Sequence, residues 1–287
     1  MLPEFDYIVP SNLSQACDFL QDNGSQTKIV AGGTDLVLNL RRGEVRPRFL
    51  LDISALKEIR QIEEDRDWIK IGAACTHTQI SESPVIRKEG GILSEASGWV
   101  GSRQIRNLGT IGGNIVNASP AADTLPALMV LNAQLRIVSQ QSHRQVPLPE
   151  IYKGPYQTHL KSDELVSHIL IDRIPQKARY HFFRIARRKA MATARINGAV
   201  VLWRTELGGP IEEIRISIGS VTPVPCRMTE AEKLLRGTVP SEELIEQACL
   251  MIGKAMLEAS GIRKSAEYKQ PVVQTLVKRA LQDALKG

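Results

Sequence analysis

Apolar residues near the start of the chain recur at the spacing of one helix face. They lie at i, i+3, i+4 and i+7 between Ser11, which is placed to cap a helix N-terminus, and Gly24, which marks the end of the helix. The pattern predicts a short amphipathic helix. Its apolar face consists of Leu13, Ala16, Cys17 and Leu20.

Other segments show the short apolar runs and the alternation that are typical of strands. Trp68 to Ala74 is one example, because apolar and polar residues alternate there as in a half-buried strand. The sequence predicts further extended segments at 28–31, 49–53, 134–138, 164–171, 180–185, 198–204 and 213–221.

Between these strands the start and stop signals predict helices and one long loop. A helix is predicted over 91–100, and Pro120 can begin another helix with Asp123 in its first turn. The segment 106–114 is too rich in glycine for a regular helix, so a loop is predicted there.

The pattern changes around Pro175, after which strands give way to helices that continue to the end of the chain. Thr229 and Glu232 have the spacing of a capping box, and a last helix is predicted from near Pro271. We therefore expect an α+β fold with a domain boundary near residue 176.

Composition narrows the class of protein. With 43% hydrophobic and 24% charged residues among 287, the chain has the composition of an ordinary globular protein. Its longest wholly apolar stretch, Leu125 to Leu131, is far shorter than the roughly 20 residues that cross a bilayer. Met1 to Pro10 carry no basic, apolar leader. We expect no membrane span and a cytoplasmic location.

The cysteines and histidines do not form a metal-binding pattern. No Cys-x-x-Cys or His-Glu-x-x-His spacing occurs, whereas zinc and iron–sulfur sites need clustered ligands. A reducing cytosol would keep the thiols unpaired. We therefore expect no metal centre in this chain and mostly buried cysteines, which are Cys17, Cys75, Cys226 and Cys249.

A net charge of +6 and an isoelectric point near 9.2 are compatible with an anionic partner. The densest basic runs are residues 41–48 and 184–189. No nucleic-acid-binding motif accompanies them, and only 5% of the residues are aromatic, which leaves few side chains for stacking bases. A solvated surface or a subunit interface is the favoured interpretation, and no nucleic-acid partner is expected.

Two glycine pairs carry the clearest candidate chemistry. Gly32-Gly33 follows a predicted strand, and Gly112-Gly113 lies in the predicted loop. Glycines let consecutive backbone N–H groups approach and neutralise phosphates. Neither pair has the spacing of a Rossmann or a Walker motif. A single pair of this kind is more often a sharp turn than a binding site.

Together, the glycine pairs and their neighbours resemble the FAD-binding (medium) subunit of molybdenum hydroxylases, the xanthine dehydrogenase and carbon monoxide dehydrogenase group. The similar segments follow one another in family order over about 240 residues. They are Lys28 to Leu36, Phe49 to Ile53, Arg106 to Asn114, Ala118 to Asp123, Arg187 to Ala192 and Ser265 to Lys269.

The resemblance implies a particular α+β architecture. A vanillyl-alcohol-oxidase (PCMH)-type FAD-binding domain would span residues 1–176, with two α+β subdomains at about 1–56 and 57–176. A C-terminal α+β domain, similar to that of CO dehydrogenase flavoproteins, would span residues 177–287.

The resemblance also implies FAD at the glycine pairs, and because neither glycine turn contains a histidine, the FAD would be non-covalent. The first pair would hold the pyrophosphate, and the second would line the pyrophosphate, ribityl and flavin side. Asp123 would bind a hydroxyl, since an acid repels phosphate, although it could instead stabilise a helix N-terminus. The basic run 187–189 would lie near the flavin. The implied cofactor-binding residues are Lys28, Val30, Ala31, Gly32, Gly33, Thr34, Asp35, Leu36, Thr110, Ile111, Gly112, Gly113, Asn114, Asn117, Ser119, Asp123, Val166 and Arg184.

The function implied by the resemblance is electron transfer within a heteromeric oxidoreductase. Electrons would leave the substrate at molybdopterin on a large subunit and pass through [2Fe–2S] clusters on a small subunit. They would then reach FAD on this chain and leave to NAD or another acceptor. This chain would hold no catalytic residue and no metal. Xanthine or another purine is the first expectation for the substrate.

Two alternatives stay open at this point. One is a self-contained flavin reductase or oxidase of the same fold, such as the class that reduces enolpyruvyl sugar nucleotides. The other is a basic nucleic-acid-binding protein whose glycine turns bind nothing. Flavin absorbance in the purified chain would separate the second alternative from both flavoproteins.

Overall fold

The computed structural model describes residues 3–188, 191–261 and 265–286. In the N-terminal segment, three short strands pair in parallel, and helices connect them. In chain order the elements are β1 (Asp6–Ile8), α1 (Leu13–Asn23), β2 (Thr27–Val30), α2 (Leu36–Arg42) and β3 (Phe49–Asp52).

The first helix, α1, lies where the sequence predicts but has a different cap. Asn12 is extended, and its side-chain oxygen accepts a hydrogen bond from the Gln15 N–H at 2.9 Å. The predicted cap, Ser11, instead donates its hydroxyl to the Gln15 side chain. The buried face of α1 packs with Leu51 of β3, which holds the helix against the sheet.

The central segment forms an antiparallel sheet, and a run of helices is inserted between two of its strands. The strands predicted at 134–138 and 164–171 are confirmed. The elements are β4 (Ile62–Glu64), β5 (Trp68–Gly72), α3 (His77–Glu82), α4 (Pro84–Glu89), α5 (Gly91–Gly98), α6 (Arg103–Leu108), α7 (Ile111–Asn117), α8 (Thr124–Val130), β6 (Gln134–Val138), β7 (His143–Pro147), β8 (Tyr152–Gly154), β9 (Gln157–Thr158) and β10 (Leu165–Asp172).

This sheet has the strand order β4-β5-β10-β6-β7, while β8 and β9 form a separate hairpin. The inserted helices and the sheet bury one apolar core. Ile71 of β5 and Ile169 of β10 contribute from the sheet, and Ile92, Ile111 and Leu128 contribute from α5, α7 and α8. The segment that carries the second glycine pair is therefore anchored on the central sheet.

The segment 106–114 is helical, so the loop predicted there is wrong. Helix α6 ends at Leu108, Gly109 makes the connection, and α7 begins at Ile111. The Thr110 hydroxyl caps α7 by accepting a hydrogen bond from the Gly113 N–H at 3.1 Å. This cap and the burial of Gly112 against the sheet offset the weak helix propensity of glycine.

The C-terminal segment forms a four-stranded antiparallel sheet followed by helices, which confirms the predicted change of pattern. Its elements are β11 (Arg179–Ala186), β12 (Ala194–Arg204), β13 (Ile211–Gly219), β14 (Cys226–Arg227), α9 (Thr229–Leu235), α10 (Glu242–Ser260) and α11 (Ala266–Lys286).

The predicted capping box at the start of α9 does not form. Met228 precedes the helix, and no side chain caps it. Glu232 is instead buried, where it accepts hydrogen bonds from Arg227 Nε at 2.6 Å and from the Ile216 N–H at 2.7 Å. A buried carboxylate with these donors contributes more to stability than it would by accepting a hydrogen bond from the N-cap backbone of α9.

The last helix begins earlier than predicted. It starts at Ala266, and Pro271 lies inside it. Proline there removes one N–H donor from an early turn of the helix. The helix is nevertheless held in place, since Val273 and Val277 pack in the same core as Ile252 of α10.

The central and C-terminal sheets share apolar packing. Phe182, Ala199 and Val201, from β11 and β12, lie in the same core as the inserted helices. The apolar core is thus continuous across the domain boundary predicted near residue 176. That boundary stays a prediction. No helix within residues 3–188, 191–261 and 265–286 is long and apolar enough to cross a membrane.

Candidate functional site

The first glycine pair forms the turn between β2 and α2. Gly33 has φ +67°, a backbone conformation that side chains with a Cβ adopt at a cost. A Cβ added at Gly32 would overlap the carbonyl oxygen of Leu108. One glycine is thus required by its conformation, and the other by close contact with the end of α6.

The N–H groups of this turn are without acceptors. Among the described residues, none accepts a hydrogen bond from the backbone N–H groups of residues 32–35. The carbonyls of the same turn are used, because the Val37 N–H donates to Gly33 at 3.0 Å and the Asn39 N–H donates to Asp35 at 3.1 Å. Consecutive N–H groups without partners are the arrangement that binds an anion.

The second glycine pair differs, because the protein itself uses its N–H groups. Gly112 lets α7 lie directly on the chain after β5, where an added Cβ would be 2.7 Å from both the Cβ and the carbonyl oxygen of Ala73. The backbone N–H of Ile111 donates to the Cys75 carbonyl at 3.0 Å, that of Gly112 to the Ala73 carbonyl at 2.9 Å, that of Gly113 to Thr110 Oγ1 at 3.1 Å, and that of Asn114 to the Thr110 carbonyl at 2.9 Å. This segment therefore does not present the free N–H groups expected of it.

The structure brings the two glycine segments together. Gly32 touches the segment just before α7, and Asn117 at the end of α7 donates its Nδ2 to Asp35 Oδ1 at 3.1 Å. Thr34 donates its hydroxyl to the other carboxylate oxygen of Asp35 at 3.3 Å. The turn therefore runs alongside α7 from one end to the other.

Helix α7 also connects this turn to the segment that carries Asp123. The Thr124 hydroxyl donates to Asn114 Oδ1 at 2.5 Å. Asn114 and Asn117 are three residues apart, so they lie on the same face of α7. Beyond the helix, the Ser119 hydroxyl lies 3.4 Å from the hydroxyl of Tyr156. Six of the implied polar residues thus lie along α7 or in the segments next to its ends. We call this set the strip, and it consists of Thr34, Asp35, Asn114, Asn117, Ser119 and Asp123.

Asp123 forms the far end of the strip and is 7% exposed. Its Oδ1 accepts hydrogen bonds from Arg184 Nε at 3.0 Å and from Asn197 Nδ2 at 3.1 Å. Burial raises the pKa of this carboxyl, and the adjacent Arg184 and Asn197 act in the opposite direction. Asp123 precedes α8 without capping it through its side chain, so its interactions lie in the C-terminal sheet.

Arg184 is held on several sides. Its guanidinium lies over the ring of Trp99 with 5.7 Å between Cζ and the ring centroid, and it donates to the Ala192 carbonyl. Stacking on an aromatic face favours a cation. Arg184 therefore joins Asp123, the end of α5 and the chain leading into β12.

The remaining implied residues are placed less uniformly. Lys28 is exposed on β2, and Arg187 and Arg188 are exposed beyond β11, whereas Lys189 lies outside the described residues. Val166 is 4% exposed, and its side chain packs in the apolar core. A part for Val166 in cofactor binding stays a prediction.

Sequence reasoning missed two polar residues beside the strip. Asn197 is fully buried next to Asp123, and the signal that could have found it is one amide in the apolar strand β12. His77 is 2% exposed, and burial lowers its pKa to about 4. Its Cδ2 lies 3.4 Å from where a Cβ would stand on Gly109. A Thr-x-x-Gln capping box at Thr76 marks the start of its helix.

The sequence matches two protein families in succession. Residues 3–176 match the FAD-binding domain in molybdopterin dehydrogenases, and residues 181–284 match the CO dehydrogenase flavoprotein C-terminal domain. The chain belongs to the family of FAD-binding molybdopterin dehydrogenase subunits. It is accordingly an FAD-carrying component of an oxidoreductase, as the resemblance implied, and the implied α+β architecture is confirmed.

Relatives cover nearly the whole chain. The nicotinate dehydrogenase FAD-subunit of Eubacterium barkeri is 31% identical over 288 residues, covering 99% of this chain and 97% of its own. The xanthine dehydrogenase FAD-binding subunit of Escherichia coli O157:H7 is 30% identical, covering 96% and 94%. Reconstituted CO dehydrogenase from Oligotropha carboxidovorans contains a chain with a TM-score of 0.93 and 26% identity, covering 100% of this chain and 99% of that one.

Proposed function

We propose that this chain is the subunit through which electrons pass from [2Fe–2S] clusters of a small partner subunit to NAD or another acceptor. FAD is its cofactor, and when bound FAD exchanges both single electrons and electron pairs. The observation that carries the proposal is the unpaired N–H turn at 32–35, which lies alongside α7 in a chain that matches FAD subunits along its whole length.

The residues present fit FAD at both ends of the strip. The N–H groups of residues 32–35 and the Thr34 hydroxyl would bind the pyrophosphate, because they are donors without a protein acceptor or with a weak one. Gly113 is exposed. Apart from its chain neighbours and the backbone of its own helix, Thr110 Oγ1 is the one atom of the described residues within 4 Å of its Cβ position, so a ligand can approach the backbone of α7 closely there.

At the other end of the strip, Asp123 would accept a hydrogen bond from a hydroxyl group of the FAD molecule. The Arg184 guanidinium neutralises this buried carboxylate, which reduces the cost of burying it. No side chain of the strip is required as a nucleophile or as a general acid. The protein supplies position and electrostatics, and FAD supplies the redox chemistry.

The substrate would be oxidised at molybdopterin on a large partner subunit. A purine such as xanthine is the first candidate, and the relatives named for xanthine and nicotinate dehydrogenases support a nitrogen heterocycle more broadly. The substrate-binding residues would lie on that partner. The cytoplasmic location expected from the sequence stays a prediction.

The self-contained reductase has less support. Subunits of heteromeric dehydrogenases match this chain over 94–97% of their own length, which favours a subunit of such a complex. The basic runs carry no proposal of nucleic-acid binding.

An absorption spectrum of the gently purified native complex tests the proposal, together with a gel and acid release of the flavin. We expect flavin bands at about 370 and 450 nm, iron–sulfur absorbance, one FAD per copy of this chain and two co-purifying chains. A colourless complex that takes up no added FAD would overturn the proposal. Flavin in a lone, active chain would favour the self-contained enzyme.

A further inference from the structure

The C-terminal sheet presents three residues in a row towards Asp123. Arg184 on β11 pairs with Asn197 on β12, and Asn197 pairs with Gly219 on β13. A Cβ added at Gly219 would overlap the Asn197 side-chain oxygen and lie 3.0 Å from Pro126 of α8. The missing side chain at Gly219 therefore makes room for the Asn197 amide under α8.

The Asn197 amide is fixed at both of its polar atoms. Its Nδ2 donates to Asp123 Oδ1 at 3.1 Å and to the Ala122 carbonyl at 3.2 Å, and its Oδ1 accepts from the Ser220 hydroxyl at 3.2 Å. Turning the amide over would place its oxygen against two acceptors. The side chain is fully buried, so water cannot replace these bonds.

This arrangement uses one carboxylate oxygen of Asp123 and leaves the other. Both Arg184 and Asn197 donate to Oδ1, whereas no described residue donates to Oδ2. Two donors on one oxygen fix the rotation of the carboxylate, and they come from neighbouring strands of one sheet. The direction of Oδ2 is therefore set by the C-terminal sheet.

We propose that Asn197 is a positioning residue that orients the Asp123 carboxylate, so that Oδ2 accepts a hydrogen bond from a hydroxyl group of the FAD molecule. The proposal rests on the function proposed above. It makes the flavin site a joint product of the FAD-binding segment and the C-terminal sheet. Asn197 is suited to this because it adds a donor without adding a charge, while Arg184 already balances the charge of Asp123.

The first test compares the affinity of the full chain for FAD in Asn197→Leu and in a matched control. Leucine keeps the approximate volume but removes both polar atoms. We expect the FAD Kd, from flavin fluorescence quenching, to rise by about tenfold. Arg215→Met is the control, because Arg215 also bridges the two segments, through the Val130 carbonyl and Asp172, but does not touch Asp123. It should leave the Kd within about twofold.

A double-mutant cycle separates positioning from a general loss of packing. If Asn197 acts through Asp123, the change Asn197→Leu should have almost no further effect on the FAD Kd in an Asp123→Ala background. Equal effects in the two backgrounds would overturn the proposal. Equal rises in Kd for Asn197→Leu and Arg215→Met would also overturn it, since both would then act by loosening the interface.

Gly219→Ala gives an independent test should Asn197→Leu not fold. Its methyl group displaces the Asn197 amide while leaving every polar group in the chain. We expect a similar rise in the Kd, and an unchanged Kd would count against positioning. A wild-type chain that binds no FAD would refute the proposed function itself. A chain that binds FAD, responds to Asp123→Ala and ignores Asn197→Leu would refute only this inference.

Discussion

Asn117 and Asp35 are 82 positions apart in sequence, and their side chains are joined by a 3.1 Å hydrogen bond. The bond connects the end of α7 to the turn whose N–H groups lack acceptors. Asn117 is also the last residue of α7, followed by Ala118 in the left-handed conformation with φ +50°. The direction of this helix end and the position of the turn therefore depend on each other.

Substituting Asn117 should weaken FAD binding in a charge-dependent way. In Asn117→Ala the link to Asp35 is lost, and we expect the FAD Kd to rise about fivefold. In Asn117→Asp two carboxylates face each other, so a rise of tenfold or more is expected. Fluorescence titration in low salt and in about 1 M salt checks this, because screening should bring the Asp variant close to the Ala variant. Identical Kd values for wild type and both variants would exclude the link.

The conformation of Gly33 makes a second prediction with a matched control. Gly33 and Gly208 both have positive φ. Among the described residues, apart from chain neighbours, an alanine methyl would meet nothing within 4 Å at Gly208 and the Val37 and Val30 side chains at Gly33. Each alanine variant should lose about 1–2 kcal/mol of unfolding free energy from backbone strain. Only Gly33→Ala should also lose FAD during gel filtration. Equal flavin content in the two variants would mean that the turn at Gly33 does not hold the cofactor.

His77 should make the chain sensitive to acid. Burial holds the folded-state pKa at about 4, whereas the imidazole in the unfolded chain titrates near 6.5. The unfolded state then binds a proton that the folded state excludes, so stability is lost as the pH falls from about 6.5 to 4. The loss is on the order of 3 kcal/mol.

Urea unfolding of wild type and His77→Gln at several pH values checks this. The variant should show a shallower decline across the same range, although His168, whose pKa burial also lowers, retains part of the slope. Parallel pH profiles for the two proteins would show that His77 does not titrate in this window.

Removing the Arg184 guanidinium should make FAD binding depend on pH. In Arg184→Met the effect of burial on Asp123 is less opposed, so the pKa of that carboxyl rises further. A larger fraction of Asp123 is then protonated near neutral pH, and the FAD Kd should fall as the pH is raised from about 6 to 9. Arg184→Lys keeps the charge and should show a weaker dependence. A flat profile in Arg184→Met would contradict the role given to this ion pair.

The parts of the fold that alternation encodes were predictable from the sequence. The strands β5 and β6 follow from local pattern, because residues two apart share a face whatever lies beyond the strand. The turn at Gly33 was also predictable, since few residues other than glycine tolerate its φ. These features depend on neighbours in sequence.

The parts that depend on distant residues were not predictable in this way. Helix α7 contains two glycines and is short, and it is stabilised by the Thr110 cap and by contact with Ala73. Asn197 meets Asp123 only because the strand register places it opposite both Arg184 and Gly219. Neither the register nor the contact leaves a local signal beyond an unusual residue type.

The two glycine segments differ in what they leave for a cofactor to complete. The N–H groups of α7 are satisfied within the protein, while those of residues 32–35 are not. Helix α7 therefore needs no cofactor to complete its hydrogen bonds, and flavin can bind against a surface that already exists. Amide hydrogen exchange should therefore slow at residues 32–35 when FAD is added and change little along residues 111–114. The first glycine segment would be ordered by the cofactor, and the second would be ordered without it.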